Sequence, residues 1–200
     1  MISLSHPTRA ATERRLESLA SAPHSYPEVG ATGDGAQLDR LSAKYNIDRH
    51  STVIARTGAG FEASKSAIRA WAPFALPWIE VVASGEPEVG RTVAVVARVV
   101  GLWWINVSRV VYTIDETHRF GFAYGTLECH AESGEELFLV EFDPATEDVT
   151  YSVVAFSRPR HVLARLGYPF SRRVQRRFGR ETLVAMEQET ARLRANPDPD

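Results

Sequence analysis

At 200 residues the chain has room for one domain with a sizeable core, and 44% hydrophobic with 24% charged residues is an ordinary globular balance. A net charge of −2 argues for neither a nucleic-acid partner nor a strongly acidic surface, and the single cysteine, Cys129, excludes an internal disulfide framework and fits a reducing compartment. Apolar runs too short for a membrane span, and an amino-terminal stretch too short in apolar length for a secretory leader, lead to the expectation of a cytoplasmic protein without an integral membrane segment.

Residues 8–22 predict a short amphipathic helix with Leu16 and Leu19 on one side, stopped by Pro23. Residues 23–50 are rich in Pro, Gly, Asp and Ser and read as loop. A strand is expected over 51–56, and Gly58-Ala-Gly60 then turns the chain into a helix over 61–71, ended by Pro73 and Pro77. Strands follow over 78–83, 92–100 and roughly 104–114, the second of them a β-branched run. Asp115-Glu-Thr-His118 is a turn, and Phe120-Gly-Phe-Ala-Tyr-Gly-Thr-Leu127 is the next strand. Alternation there puts Phe120, Phe122, Tyr124 and Thr126 on one face and leaves Gly121, Ala123 and Gly125 on a nearly bare one, where a backbone or ligand approaches closely. Ser133-Gly134 reads as the next reversal, with strands over 136–142 and 149–156. Ser157 then suits a helix N-cap and Pro159 the first helical turn, while Leu166, Phe170, Val174 and Phe178 recur at every fourth residue as one apolar face that Pro169 kinks.

Short turns between successive strands make an antiparallel meander, so the fold class is α+β: a curved antiparallel sheet wrapped around a long C-terminal helix. The expected organisation is an N-terminal helical arm over 1–25, a single domain over 26–195 and a disordered tail over 196–200.

Five segments carry a family resemblance: Tyr26-Pro-Glu-Val-Gly-Ala-Thr32, Phe120-Gly-Phe-Ala-Tyr-Gly-Thr-Leu127, Gly134-Glu-Glu136, Phe156-Ser-Arg-Pro159, and the tail Leu166-Gly-Tyr-Pro169 with Gln175-Arg-Arg177. In this order they resemble the domain of unknown function 1990 family (uncharacterised protein family 0548), over roughly Tyr26 to Met186. The chain departs from the family pattern at Glu128-Cys129, where Pro-Gly precedes the histidine. The family implies no reaction. A further resemblance to the START-like, helix-grip superfamily implies a hydrophobic-ligand binder or a polyketide cyclase.

The six histidines have no close ligand spacing and there is no CxxC or HExxH, so neither a metal nor a cofactor is expected. Gly58-Ala-Gly60 lacks the lysine of a phosphate loop and is read as a plain turn. Cys129 and His130 are neighbours that point oppositely in a strand, which argues against a nucleophilic dyad. If the strand runs past Thr126, then Tyr124, Thr126, Glu128 and His130 share a face, and Glu136 returns beside them. A carboxylate beside an imidazole in an apolar cleft tunes both groups towards neutrality, which makes Tyr124, His130 and Glu136 the candidate catalytic set; a solvated hairpin end is the plainer reading.

Trp71, Trp103, Tyr112, Phe122, Tyr124, Thr126 and Ser157 are the candidate ligand-binding residues, within an aromatic set that also supplies core. Between Arg158 and Arg180 stand eight arginines and one histidine with no acid. Solvated or intramolecularly paired is the favoured reading of that cluster, ahead of a lipid surface or nucleic acid. The expected partner is a hydrophobic or aromatic small molecule, bound between sheet and helix, with a cyclase, isomerase or hydrolase using the same cavity as the alternative. Oligomeric state is not legible from these residues.

Overall fold

The computed structural model describes residues 2–128, 130–160 and 168–196. Strands β1 (Ile2–Ser3), β2 (Asn46–Arg56), β3 (Ile79–Ala83), β4 (Thr92–Val99), β5 (Leu102–Glu116), β6 (Arg119–Thr126), β7 (Glu132–Phe142) and β8 (Asp148–Pro159) form one antiparallel sheet. Its order is β2-β8-β7-β6-β5-β4-β3, with β1 beside β5. Helices α1 (Arg9–Ser18), α2 (Gly35–Arg40), α3 (Gly58–Arg69) and α4 (Tyr168–Ala195) complete it.

One face of the sheet holds the main core. Phe122, Tyr124, Phe138, Val140, Tyr151 and Val153 meet Phe61 and Ile68 of α3, Trp71 and Phe74 of the following turn, and Met186 of α4. The rings interlock: Phe122 stacks on Phe138 at 5.1 Å, and Trp71 meets Phe122 edge-on at 5.0 Å. The other face is covered by the chain before β2, through Leu16 of α1 and through Tyr26, Ala31, Leu38 and Tyr45.

That covering layer is fastened by one carboxylate. Glu135 of β7 accepts hydrogen bonds from the Tyr26 hydroxyl (2.7 Å), the Gly30 N–H (2.7 Å), the Thr32 N–H (3.0 Å) and the Thr32 hydroxyl (2.5 Å). A buried carboxylate is tolerated when its lone pairs are filled in this way. Burial and the Glu135 charge push the Tyr26 phenol far up, so it remains a donor. The bare face of the FGFAYGT strand is explained here: a Cβ on Gly125 would overlap the Tyr26 hydroxyl.

Several boundaries differ from the sequence expectations. Residues 23–50 contain a 3-10 turn over Ala31–Gly33 and helix α2, whose N-cap Asp34 accepts from Ala36 N–H (2.9 Å) and Gln37 N–H (3.1 Å). At six residues α2 is too short to display a period. Ser133 and Gly134 lie inside β7 rather than at a reversal, and Thr126 closes the hairpin instead: its hydroxyl accepts from Gly134 N–H (2.9 Å) and donates to Gly134 C=O (3.1 Å). Ser157 and Pro159 belong to β8 and cap no helix. Pro169 follows Tyr168, the first described residue of α4, and the break expected there falls on residues 161–167, which lie outside the described residues. Cys129, Leu166 and residues 197–200 lie outside the described residues.

Gly125→Ala is expected to destabilise the fold by roughly 1–3 kcal/mol, because the Tyr26 ring is held by Glu135 and does not swing aside. The denaturant midpoint checks it, and an unchanged midpoint contradicts the close approach.

Candidate functional site

Helix α4 crosses the concave face of the sheet, and its buried residues are Gly179, Thr182, Ala185, Met186 and Thr190, all from Gly179 onward. Small residues let this part sit close: at Gly179 a Cβ would collide with the His50 ring. Tyr151 and Thr182 share a hydrogen bond of 3.1 Å, and Ser64 of α3 shares one of 3.3 Å with Thr190. The first half is attached by polar contacts. Tyr168 donates to Asn46 (2.8 Å), Arg172 grips both oxygens of Asp48 (2.6 and 2.7 Å), and Gln175 bridges Arg172 and Ser157 at 2.7 and 3.1 Å.

Beneath that first half lies a cavity of about 370 Å³, within the usual range of small-molecule sites. Its walls are mostly apolar. Val95, Ala97, Val153 and Ala155 come from the sheet, Phe74 and Ile79 from the segment before and into β3, and Phe170, Val174 and Phe178 from α4. Strand alternation sets which polar groups enter. Asp48 and His50 of β2 pair with Ala155 and Val153, and Trp104 and Asn106 of β5 are two apart on the same face. Tyr124, Thr126, His130, Glu132, Glu136 and Ser157 complete the polar lining used below.

The expected catalytic set therefore converges on one cavity, by a route other than strand parity. Strand β6 ends at Thr126, and Glu128 is exposed in the connection that follows. His130 turns back to the cavity because its N–H closes a turn on Leu127 C=O at 3.0 Å. Its Nδ1 accepts from Glu132 N–H (3.0 Å), which leaves Nε2 for the interior. Tyr124 donates to Glu136 at 2.9 Å.

Burial, against the opposing Tyr124 hydrogen bond, raises Glu136 to about 7. Burial likewise raises Glu132 to about 7, opposed by the charge of Arg172. Burial lowers the His130 imidazolium to about 3, so a neutral ring is present at neutral pH. Tyr124 is pushed well above its ordinary value by burial and by the Glu136 charge.

Of the expected ligand-binding residues, Tyr124, Thr126 and Ser157 line the cavity. Trp71 and Phe122 are in the packed core, the Trp71 indole donating to Gly85 C=O at 2.9 Å. Trp103 points to the opposite face, edge-on to His6 at 4.4 Å. Tyr112 is turned outward by a bulge: Val110 pairs with inward Tyr124, but Tyr112 pairs with outward Ala123, and its hydroxyl shares a 2.8 Å bond with Thr32. Asp48, His50, Asn106 and Glu132 were not anticipated. Extending the alternation of β2 back through His50 and Asp48 would have found two of them. Among the described residues no group of three or more His, Cys, Asp and Glu is arranged to hold a metal ion, and no helix is long and apolar enough to cross a membrane.

A family model described as "Domain of unknown function (DUF1990)" matches residues 25–185. A UPF0548 protein of Deinococcus radiodurans is 32% identical over 193 residues, covering 90% of this chain and 94% of the relative. One from Dictyostelium discoideum is 29% identical over 178 residues, covering 83% and 82%. Among solved structures, the di-domain ARO/CYC StfQ of the steffimycin biosynthetic pathway matches with a TM-score of 0.53 at 13% identity, over 92% of this chain and 60% of that one. The Zhui aromatase/cyclase from Streptomyces sp. R1128 matches at 0.51 and 18%, over 74% and 95%. A norcoclaurine synthase point mutant of Thalictrum flavum, in complex with a transition-state analogue, matches at 0.50 and 12%, over 78% and 97%. At such identities the likeness is one of fold, and the fold is the helix-grip, START-like one.

The three shifted groups oppose each other in pH. Glu132 and Glu136 hold protons more tightly folded than unfolded, so their contribution to stability is lost as pH rises from 4.5 to about 7. His130 resists protonation when folded, so its contribution is lost as pH falls from 6.5 towards 3. Glu136→Gln is expected to flatten the decline between pH 4.5 and 7, and His130→Asn the loss below 6.5, in unfolding midpoints taken across pH. Curves parallel to the parent contradict these burial effects.

Proposed function

The chain belongs to the DUF1990 family, and from that membership and the cavity we propose that it binds a hydrophobic or aromatic small molecule between the sheet and α4. The observation that carries the reading is the aromatic-walled space itself. Phe74, Trp78, Tyr124 and Phe178 contribute aromatic rings to its lining, alongside the aliphatic wall of Val95, Ala97, Val153 and Val174. Titles of proteins with the same fold name a cyclase and a synthase, which supports a small organic molecule as the guest; fold alone assigns no chemistry.

A second reading rests on one pair. Glu136, with a proton affinity near neutrality, accepts a hydrogen bond from Tyr124 on the cavity wall. A carboxyl so placed takes or gives a proton at physiological pH, as an enzyme of the cyclase or isomerase kind requires.

Mass spectrometry of small molecules extracted from the purified protein tests both. The ligand reading predicts a retained apolar compound that, added back at about a hundred times its Kd, raises Tm by roughly 5–10 °C, with Tyr124→Ala weakening the shift. No retained compound, and no shift with any apolar probe, contradicts it. The catalytic reading predicts conversion of that compound by the parent and none by Glu136→Gln, with the thermal shift kept; no conversion by the parent removes this reading alone.

A further inference from the structure

The charge on the cavity wall is one-sided. Asp48, Glu132, Glu135 and Glu136 line it together with His50 and His130, the Glu135 carboxylate being filled by its four donors in the outer layer, and among the described residues no lysine or arginine lines it. Asp48 is neutralised from the rim by the two-pronged Arg172 contact, and Glu136 already accepts from Tyr124. Glu132 is left. Its Oε2 is buried and finds no hydrogen-bond partner among the described residues, and the same holds for the indole Nε1 of Trp104.

Both orphan atoms belong to residues that line the cavity. Ala131 N–H reaches Asn106 Oδ1 at 3.4 Å, which brings the chain beside Glu132 against the strand that carries Trp104. Buried polar atoms of native proteins are nearly always paired, so a pair left open on a cavity wall marks where a guest supplies the partners. The two requirements differ. An indole N–H only donates, whereas a carboxylate only accepts.

We infer that the guest is a neutral apolar molecule carrying a hydroxyl at the end held by Trp104 and Glu132, and that carboxylates and phosphates are refused. A hydroxyl donates to Glu132 and offers its lone pairs to the Trp104 indole. An ammonium satisfies Glu132 alone. A carboxylate satisfies Trp104 alone and faces Glu132 and Glu136 as a like charge without a cation on the wall. This rests on the ligand reading above and narrows it.

An isosteric naphthalene series tests the inference on the unmodified protein. 2-Naphthol, 2-methylnaphthalene, 2-naphthylmethylamine and 2-naphthoate are titrated at pH 8, with quenching of tryptophan fluorescence as readout, since Trp78 and Trp104 line the site. The naphthol is expected to bind about tenfold tighter than the methyl compound, with the amine weaker than the naphthol and the naphthoate weakest. Trp104→Phe and Glu132→Leu are each expected to shrink the ratio of naphthol to methylnaphthalene affinity, the two probes being compared within each variant. Equal binding of naphthol and methylnaphthalene, or tighter binding of the amine or the acid, overturns the hydroxyl assignment and leaves the apolar cavity standing. Failure of all four probes to bind overturns the inference together with the reading beneath it.

Discussion

Helix α4 has to cover a curved sheet with a side that is apolar over only part of its length. From Gly179 onward its inward residues are small or apolar, and this half beds into the core with Met186 fully buried. Before Gly179 the inward residues are Phe170, Val174 and Phe178, spaced among arginines whose hydrated heads resist burial. A helix is stiff over this length, so its first half is held at the height that its second half dictates. The gap beneath is spanned by polar pairs at the edge, Arg172 with Asp48 and Gln175 with Ser157, rather than filled by side chains. Cavity and polar rim follow from that one mismatch.

The outer face is built on the opposite principle. There Glu135 gathers four donors from Tyr26, Gly30 and Thr32, and Gly125 of β6 lets that layer lie close. A sheet clamped on its convex side has little freedom to flatten onto α4. The N-terminal motif and the cavity are thus two ends of one arrangement: the first fixes the curvature that the second requires. Adjacent residues divide the labour, since Glu135 points outward to the clamp and Glu136 inward to the cavity, as alternation along a strand demands.

Much of this was legible from residues alone. The β-branched run of β4, the turn expected over Asp115–His118, which the structure narrows to Thr117 and His118, and the alternation through Phe122 and Tyr124 identify the meander, and the fourfold spacing of Phe170, Val174 and Phe178 identifies the covering helix. What escaped was set by contacts distant in sequence. Tyr112 faces outward because a bulge slips the register by one residue, and no propensity in Val110-Val111-Tyr112 announces it. Asp48 and His50 sat in a stretch whose composition reads as loop, yet β8 recruits them into a strand. His130 reaches the cavity through a turn after β6 has ended, so parity put it on the cavity side for an incorrect reason. Trp71 and Trp103 show the limit of counting aromatics: one is needed to close the core and the other faces away.

The account stands or falls on whether the space beneath the first half of α4 is unfilled. Ala155 lines it from the middle of β8, opposite Asp48 and Glu136. The most direct measurement is the unfolding midpoint of Ala155→Leu, read together with uptake of a fluorescent apolar probe. A vacant interior accepts the larger side chain, so the midpoint holds or rises while probe uptake falls. A loss of roughly 1–3 kcal/mol, the cost of overpacking a filled core, with probe uptake unchanged, would contradict it.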